Sequence, residues 1–284
     1  MPFLRLGERR YDLATRALVM GILNRTPDSF YDQGATYEMD AFLRRAEVIV
    51  GDGADLVDVG GVKAGPGPEV SETEEIDRVI PAIEALVKRF DVPVSVDTWN
   101  ARVLDAACAA GAVMGNDISG FADPDYLVTA ARHDAAVVAT HIRLQPRVRD
   151  PEPHYDDLVG EVSTFLLDRA HRAEAAGLTR EQIVVDAGLD LGKTAIQSAA
   201  LLHDSGRLAG LGYPLLLSAS NKTFLGVLLD LPLDERREAS LATVAYGVMH
   251  GCRIVRVHDV RGSMRVVRMT QELLEASAES EATR

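Results

Sequence analysis

The chain is poor in cysteine, aromatic residues and positive charge. Its 284 residues hold two Cys and one Trp, aromatics make up 5%, and 30 Lys and Arg face 43 Asp and Glu. Each shortage excludes something. Cys108 and Cys252 stand far apart, in no C-x-x-C or metal-ligand spacing, so neither a disulfide framework nor a cysteine metal site is expected. Both read as small buried apolar residues in a reducing cytosol. A formal charge of -13 argues against nucleic acid as the main partner, because phosphate binding needs a basic surface. No apolar run is long enough to span a membrane, and the opening MPFLRLGERRYDL lacks the apolar core of a secretion signal, so a cytoplasmic protein is expected. No low-complexity linker divides the chain, and 47% apolar residues with a mean hydropathy of +0.01 suit one large core.

What the chain does have is one event repeated eight times. Short apolar runs end abruptly in polar residues, as buried strands do where they meet solvent. LVMGILN ends in Asn24 and the turn NRTPDSF, which runs to Phe30; LVDVGG carries Asp58, PVSVDT Asp97, and VMGNDISG Asn116 and Asp117. VVATH ends in His141, IVVDAG in Asp186, LLLSAS in Ser218 and Ser220, and RIVRVHD in Arg256, His258 and Asp259. Helical stretches separate the runs. Ser71 and Glu74 form a capping box, Asn100 is placed to cap ARVLDAACAAG, and Asp123-Pro124 opens a helix in cap-then-proline order. The last helix is expected over Arg265 to Ala276. Eight strands alternating with helices predict an α/β fold of the (β/α)8 TIM-barrel type, with a site at the carboxyl ends of the strands. Phe3 to Leu13 alternates around Gly7 and predicts a hairpin, placed under the lower end of the barrel. Residues 1–284 are read as one domain, with a frayed tail from about residue 277.

The rim residues suggest two neighbouring chemistries. Asp97 and Asp186 offer carboxylates that accept paired N–H groups, Asn116 offers an amide, and Lys222 donates to a carbonyl. Together they suit a flat heterocycle with amino and ring N–H groups on one edge and a keto oxygen on another. Arg256, His258 and Asn24 would meet where the last strand closes on the first, and that cluster suits an anion. Taken singly, an aspartate at a strand end is more often a cap or turn former, a histidine more often a hydrogen-bonded structural group, and Arg256 could pair with Asp259. Eight such endings on one face outweigh these separate explanations. A rival motif, AGLDLGKT from Ala187 to Thr194, nearly matches the phosphate loop G-x-x-x-x-G-K-[ST]. Ala187 replaces its first glycine, Asp190 puts a negative charge inside it, and it follows a late strand.

The segments MGILNRTPDSF, GADLVDVGG, SVDT, NDISG, the histidine-ended strand with EPHYDDL beyond it, VVDAGLDLGKT, SASNKTFLG and RIVRVHDV together resemble dihydropteroate synthase over nearly the whole chain. The resemblance implies a pterin-binding barrel of folate biosynthesis, dimeric. Such a transferase joins a dihydropterin methyl pyrophosphate to p-aminobenzoate and releases pyrophosphate with Mg2+. It implies a pterin subsite of Asp97, Asn116, Asp186, Lys222, Ser220 and Arg256, catalytic roles for Arg256, His258 and Lys222, and Asn24 as a metal ligand.

The departures from the family pattern are concentrated. Where the family reads Gly-Glu-Ser-Thr-Arg-Pro-Gly, this chain has Gly61-Val62-Lys63-Ala64-Gly65-Pro66-Gly67, so the Thr and Arg that close over the aminobenzoate are Ala64 and Gly65. Asn221 interrupts a Ser-Arg-Lys, Leu191 replaces an aromatic residue, Ala187 a proline, and Ile142-Arg143 a Met-Gln-like pair. Arg25 stands where a small apolar residue is usual. The expectation is a divergent paralogue with weak or absent standard activity. The alternatives are an active synthase in which Arg25 or Lys63 supplies the missing charge, or a non-catalytic pterin-binding partner subunit. Corrinoid-linked pterin methyltransferases share the barrel but carry no pyrophosphate, which Arg256 and His258 argue against.

Overall fold

A computed structural model describes residues 3–26 and 38–282. The end of the first polar turn, residues 27 to 30, lies outside the described residues. An antiparallel hairpin, β1 (Phe3–Leu6) and β2 (Arg9–Asp12), precedes eight parallel strands: β3 (Leu18–Asn24), β4 (Leu56–Gly60), β5 (Val94–Asp97), β6 (Met114–Asp117), β7 (Ala136–Thr140), β8 (Ile183–Asp186), β9 (Leu215–Leu217) and β10 (Cys252–Val257). These eight close into a barrel in chain order, with β10 pairing both β9 and β3. The outer helices are α1 (Met39–Gly51), α2 (Glu72–Arg89), α3 (Ala101–Ala109), α4 (Tyr126–Arg132) and α5 (Leu158–Ala175), then α6 (Ala195–His203), α7 (Ser205–Ala209), α8 (Thr223–Leu229), α9 (Arg237–Met249) and α10 (Val260–Ala282). The TIM-barrel expectation is therefore met. No helix among the described residues is long and apolar enough to cross a membrane.

Successive side chains on a strand face opposite sides. One set, including Val19, Leu23, Val57, Val59, Val94, Val96, Val137, Val185 and Val255, packs outward on the helices. The other set points into the barrel and changes character along its height. Its lower layers are Leu18, Met20, Leu56, Met114, Ala136, Val138, Val184, Leu216 and Ile254, joined by Leu4, Leu6 and Leu13 of the hairpin region. The hairpin thus forms the barrel floor, as the sequence placed it. Above this apolar plug the inward positions turn polar: Asp58, Ser95, Asp97, Asn116, Asp186 and Arg256.

Ion pairs hold the hairpin region to the bottom loops. Arg5 Nη2 donates to Asp134 Oδ1 at 2.6 Å and Arg10 Nη2 to Glu181 Oε1 at 2.8 Å, while Arg9 and Arg16 reach Asp91 and Asp55. These pairs are solvated and position the hairpin; the buried leucines supply most of the driving force.

Several expected boundaries shift for local reasons. Ser71 caps α2, its hydroxyl accepting from Glu74 N at 3.2 Å. Asn100 occupies the residue before α3, but its side chain turns away and donates to Glu75 Oε2 at 2.8 Å. Asp123 Oδ2 accepts from Ala101 N at 2.8 Å instead, so Asp123 serves α3, and α4 starts after it at Tyr126. α10 starts five residues before the expected Arg265, because Asp259 Oδ1 accepts from Gly262 N at 2.9 Å. It runs to Ala282.

If the floor is held by burial, Leu4→Ala lowers stability in urea by about 2–5 kcal/mol. Glu181→Gln, which removes an exposed partner of Arg10, leaves the unfolding midpoint close to the parent's. Equal losses in the two variants would contradict this assignment.

Candidate active site

The strand register brings the rim residues together. Asn24 pairs with Gly60, Gly60 with Asp97, and Asp97 with Asn116, so four strand ends share one rung. Gly60 keeps this rung uncrowded: a Cβ would lie 3.1 Å from Asn24 Oδ1 and 3.7 Å from Asp97 Oδ2. Asp58 lies two residues below Gly60 on the same inward face and is fully buried. Arg256 reaches across from β10, with Nε donating to Asp58 Oδ2 at 2.6 Å and Nη2 to Asp97 Oδ2 at 2.7 Å. Asn116 Nδ2 donates to the same Asp58 oxygen at 3.0 Å. Arg256 therefore pairs with Asp58 and Asp97, not Asp259, whose carboxylate lies 2.8 Å from Arg237 Nε.

Asp58 appeared in the sequence only as a strand-end aspartate and was not assigned to the site. The structure makes it the shared acceptor behind two assigned residues. Its signal was available: a carboxylate two residues before the strand end, at an inward position in a parallel sheet, must meet a partner.

The second half of the cluster comes from β8 and the loop after β9. Asp186 Oδ1 accepts from Gly188 N at 2.8 Å, and Lys222 Nζ donates to Leu189 O at 2.7 Å. Burial raises the Asp186 carboxyl and lowers the Lys222 ammonium, while each partly restores the other's charge. Burial also pushes the Asp97 carboxyl up to about 7, against the pull of Arg256 and with Asp58, Glu75 and Asp117 adding to the push. Ser220 and His258 form a separate pair. Ser220 Oγ lies 3.0 Å from His258 Nδ1 and accepts from His258 N at 3.2 Å, while Arg45 Nη2 donates to His258 O at 2.7 Å.

Other strand-end residues have structural roles. Asp117 points away from the barrel axis and accepts from Ser119 N at 2.5 Å and Phe121 N at 2.9 Å, holding the turn after β6. His141 lies within 2.9 Å of Lys193 Nζ, and burial together with that cation lowers its imidazole to about 3. Lys193 also donates to Gly188 O and Leu191 O, both at 2.9 Å. Its ammonium is thereby spent inside the loop, which removes the phosphate-loop reading of AGLDLGKT. Gly188 is required there, with φ at 65° and a hypothetical Cβ only 1.9 Å from His141 O.

The two cations proposed from sequence to replace the missing loop arginine both face α2. Arg25 Nη1 donates to Arg78 O at 2.6 Å, and Lys63 lines a cavity of about 280 Å³ with Glu69, Glu74, Arg78 and Arg147.

Because the folded state favours neutral Asp97, its contribution to stability is complete below the unfolded value near 3.8 and is lost as pH rises through about 7. Asp97→Asn also takes a partner from Arg256, so it is expected to melt below the parent near pH 4, with the deficit narrowing as pH rises through about 7. Thermal scans across that range check this; a pH-independent offset would assign the titration elsewhere.

A family model described as pterin binding enzyme matches residues 20–258. The chain is 43% identical to dihydropteroate synthase of Bacillus subtilis over 261 residues, covering 91% of this chain and 89% of the relative. It is 42% identical over 270 residues to inactive dihydropteroate synthase 2 of Mycobacterium leprae, covering 92% and 91%. The crystal structure of Yersinia pestis dihydropteroate synthase in a sulfonamide drug complex superposes with a TM-score of 0.92 at 37% identity, over 96% of this chain and 99% of that one. Register, buried rim and sequence similarity over nine-tenths of the chain converge, and the chain belongs to the dihydropteroate synthase family of pterin-binding barrels.

Proposed function

We propose that this protein binds a dihydropterin methyl pyrophosphate at the top of the barrel. Asp97, Asn116, Asp186 and Lys222 would hold the heterocycle, with Ser220 beside it and Arg256 and His258 facing the pyrophosphate. The observation that carries this reading is the convergence of two carboxylates, an amide and a half-buried ammonium on one rim, with Arg256 braced on Asp97 and, through Asp58, on Asn116. Amino and ring N–H groups on a pterin match the carboxylates, and its keto oxygen matches Lys222. Arg256 and His258 would stabilise negative charge on the departing pyrophosphate as the pterin methylene becomes electron-poor, and an amine would then attack that carbon.

The donors beside Gly60 fit a hard divalent cation. The bare glycine leaves a space faced by Asn24 Oδ1 and Asp97 Oδ2. Among the described residues no group of three His, Cys, Asp or Glu side chains could hold a metal. Mg2+ binds through few protein oxygens together with waters and substrate phosphates, so Asn24 and a carboxylate beside it are the groups that would hold it. When bound it would neutralise charge on the leaving group.

The acceptor side supports a weak or absent standard reaction. Ala64 and Gly65 carry no side-chain donor, and the Ala64 carbonyl is taken up by Arg147 N at 3.2 Å. Losing one preorganised charge-stabilising donor costs about 10²–10³ in rate. Nearly equal identity to an active and an inactive relative leaves sequence similarity neutral on this point.

Calorimetry with the dihydropterin pyrophosphate is expected to show saturable binding that Asp186→Ala weakens at least tenfold. Turnover with p-aminobenzoate should fall about 100-fold or more below that of the Bacillus subtilis relative. Absence of pterin binding would overturn the pterin reading, and turnover equal to the relative's would overturn the claim of weakened activity.

A further inference from the structure

The turn from β8 into α6, the segment AGLDLGKT, divides its carbonyls between two ammonium groups. Lys193 is buried, and its Nζ donates to Gly188 O, Leu191 O and His141 Nδ1, each at 2.9 Å, with His141 O more distant at 3.4 Å. An ammonium has three protons, and the three nearer acceptors take all of them. The carbonyl lying between the first two in sequence, Leu189 O, goes instead to Lys222 Nζ at 2.7 Å. Gly188 is used on both sides: Lys193 holds its carbonyl, and its N–H donates to Asp186 Oδ1 at 2.8 Å.

The turn needs such support. Gly188, Asp190 and Gly192 have φ of 65°, 67° and 64°, and left-handed φ at a residue with a side chain persists where the surroundings impose it. Inside the turn Leu191 N donates to Gly188 O at 3.0 Å, and further fastenings come from outside. Tyr155 Oη donates to Gly192 O at 2.7 Å, and Asp190 Oδ2 accepts from Phe224 N at 3.2 Å at the start of α8. His141 gives Lys193 a firm base just past β7, its ring edge-on to Phe165 with centroids 4.8 Å apart. The turn thus meets the loop after β9 at Lys222 and the helix that follows at Phe224, with Lys193 as the cation on its inner side. Burial and the Lys222 charge together lower the Lys193 ammonium to about 7, against the pull of Asp186 and Asp190, so the two lysines sense each other across the turn.

Resting on the pterin site proposed above, we propose that Lys193 is a positioning residue for Lys222 and Asp186. By gathering Gly188 O, Leu191 O and the His141 ring, its ammonium sets the turn so that Leu189 O seats Lys222 and Gly188 N braces Asp186. The keto oxygen and the N–H edge of a dihydropterin then meet two groups aligned by one buried cation, which acts from behind the turn. The segment that nearly matches a phosphate loop serves the ligand through its heterocycle and not through its phosphates.

The test combines a mutant cycle with lysine NMR. Calorimetry with dihydropterin methyl pyrophosphate is run on the parent, Lys193→Met, Lys222→Met and the double variant. Lys193→Met leaves buried carbonyls without a donor and is expected to weaken binding about tenfold. In the Lys222→Met background the same change should cost about threefold or less, because part of its effect runs through Lys222. The chain's lysines are Lys63, Lys88, Lys193 and Lys222, so each Cε signal of protein labelled with [13C]lysine can be assigned by substitution. Lys193→Met should move the Lys222 signal, and Lys222→Met, by removing a repelling charge, should raise the Lys193 titration midpoint from about 7. Equal loss of affinity in both backgrounds, or lysine signals that each ignore removal of the other, would overturn the assignment. Where Lys193→Met does not fold, or binding in a variant is too weak to measure, the Lys193 midpoint in Lys222→Met decides alone. Reciprocal NMR effects in a protein that does not bind the pterin pyrophosphate would uphold the coupling of the two lysines through the turn and overturn the pterin reading alone.

Discussion

The site is organised by one guanidinium bridging two carboxylates. Arg256 spans from β10 to Asp58 on β4 and Asp97 on β5, and Asn116 on β6 completes the group through Asp58. Buried charges are tolerated only when paired, and removing one partner from such a pair typically costs about 3–5 kcal/mol. Asp58 Oδ1 still has no partner among the described residues. The arrangement is therefore held in place more than it is satisfied. Burial disfavours charge on Asp97, Asp186 and Lys222 alike, and groups kept ionised under those conditions gain most from a ligand that complements them. This polar upper layer is compatible with a barrel only because the layers beneath are apolar and sealed.

Much of this was legible from the residue order. Eight apolar runs with polar ends gave the barrel, and the residues at those ends gave the rim. The inside–outside alternation was harder to read. In a parallel sheet both faces are buried, so the runs look continuously apolar and the period of two is hidden. Asn116 and Asp117 are adjacent and both polar, yet only Asn116 faces the axis. Asp58 was passed over for the same reason, being below the strand end and on the inward face. The GLDLGKT segment, argued against as a phosphate loop from Ala187, Asp190 and its late strand, shows how a lysine in a glycine-rich turn can be consumed by the turn's own carbonyls. Helix starts moved where side chains chose distant partners, as Asn100 did with Glu75.

The rim has two halves with different physics. The half around Arg256 is buried, charged and cross-braced by strands, so its geometry follows from the barrel itself. The half formed by the loops after β4 and β7 is exposed and depends on single contacts, chiefly those of Arg147. Substitution in the first half disturbs the fold and the site together. Substitution in the second changes what the site can accept while leaving the barrel intact.

The floor of the barrel bears on the order of assembly. The hairpin precedes all eight barrel strands in the chain, but its leucines pack against Leu216 and Ile254, and Leu13 O accepts from Arg253 Nε at 2.8 Å across 240 residues. Contacts of such separation form late, since the loop entropy must be met before they contribute. Residues 3–13 therefore have to wait for the last strand, with three leucines exposed until the ring closes. Until then the chain carries its own stopper unseated, and a barrel short of β10 has an open bottom beside three uncovered leucines.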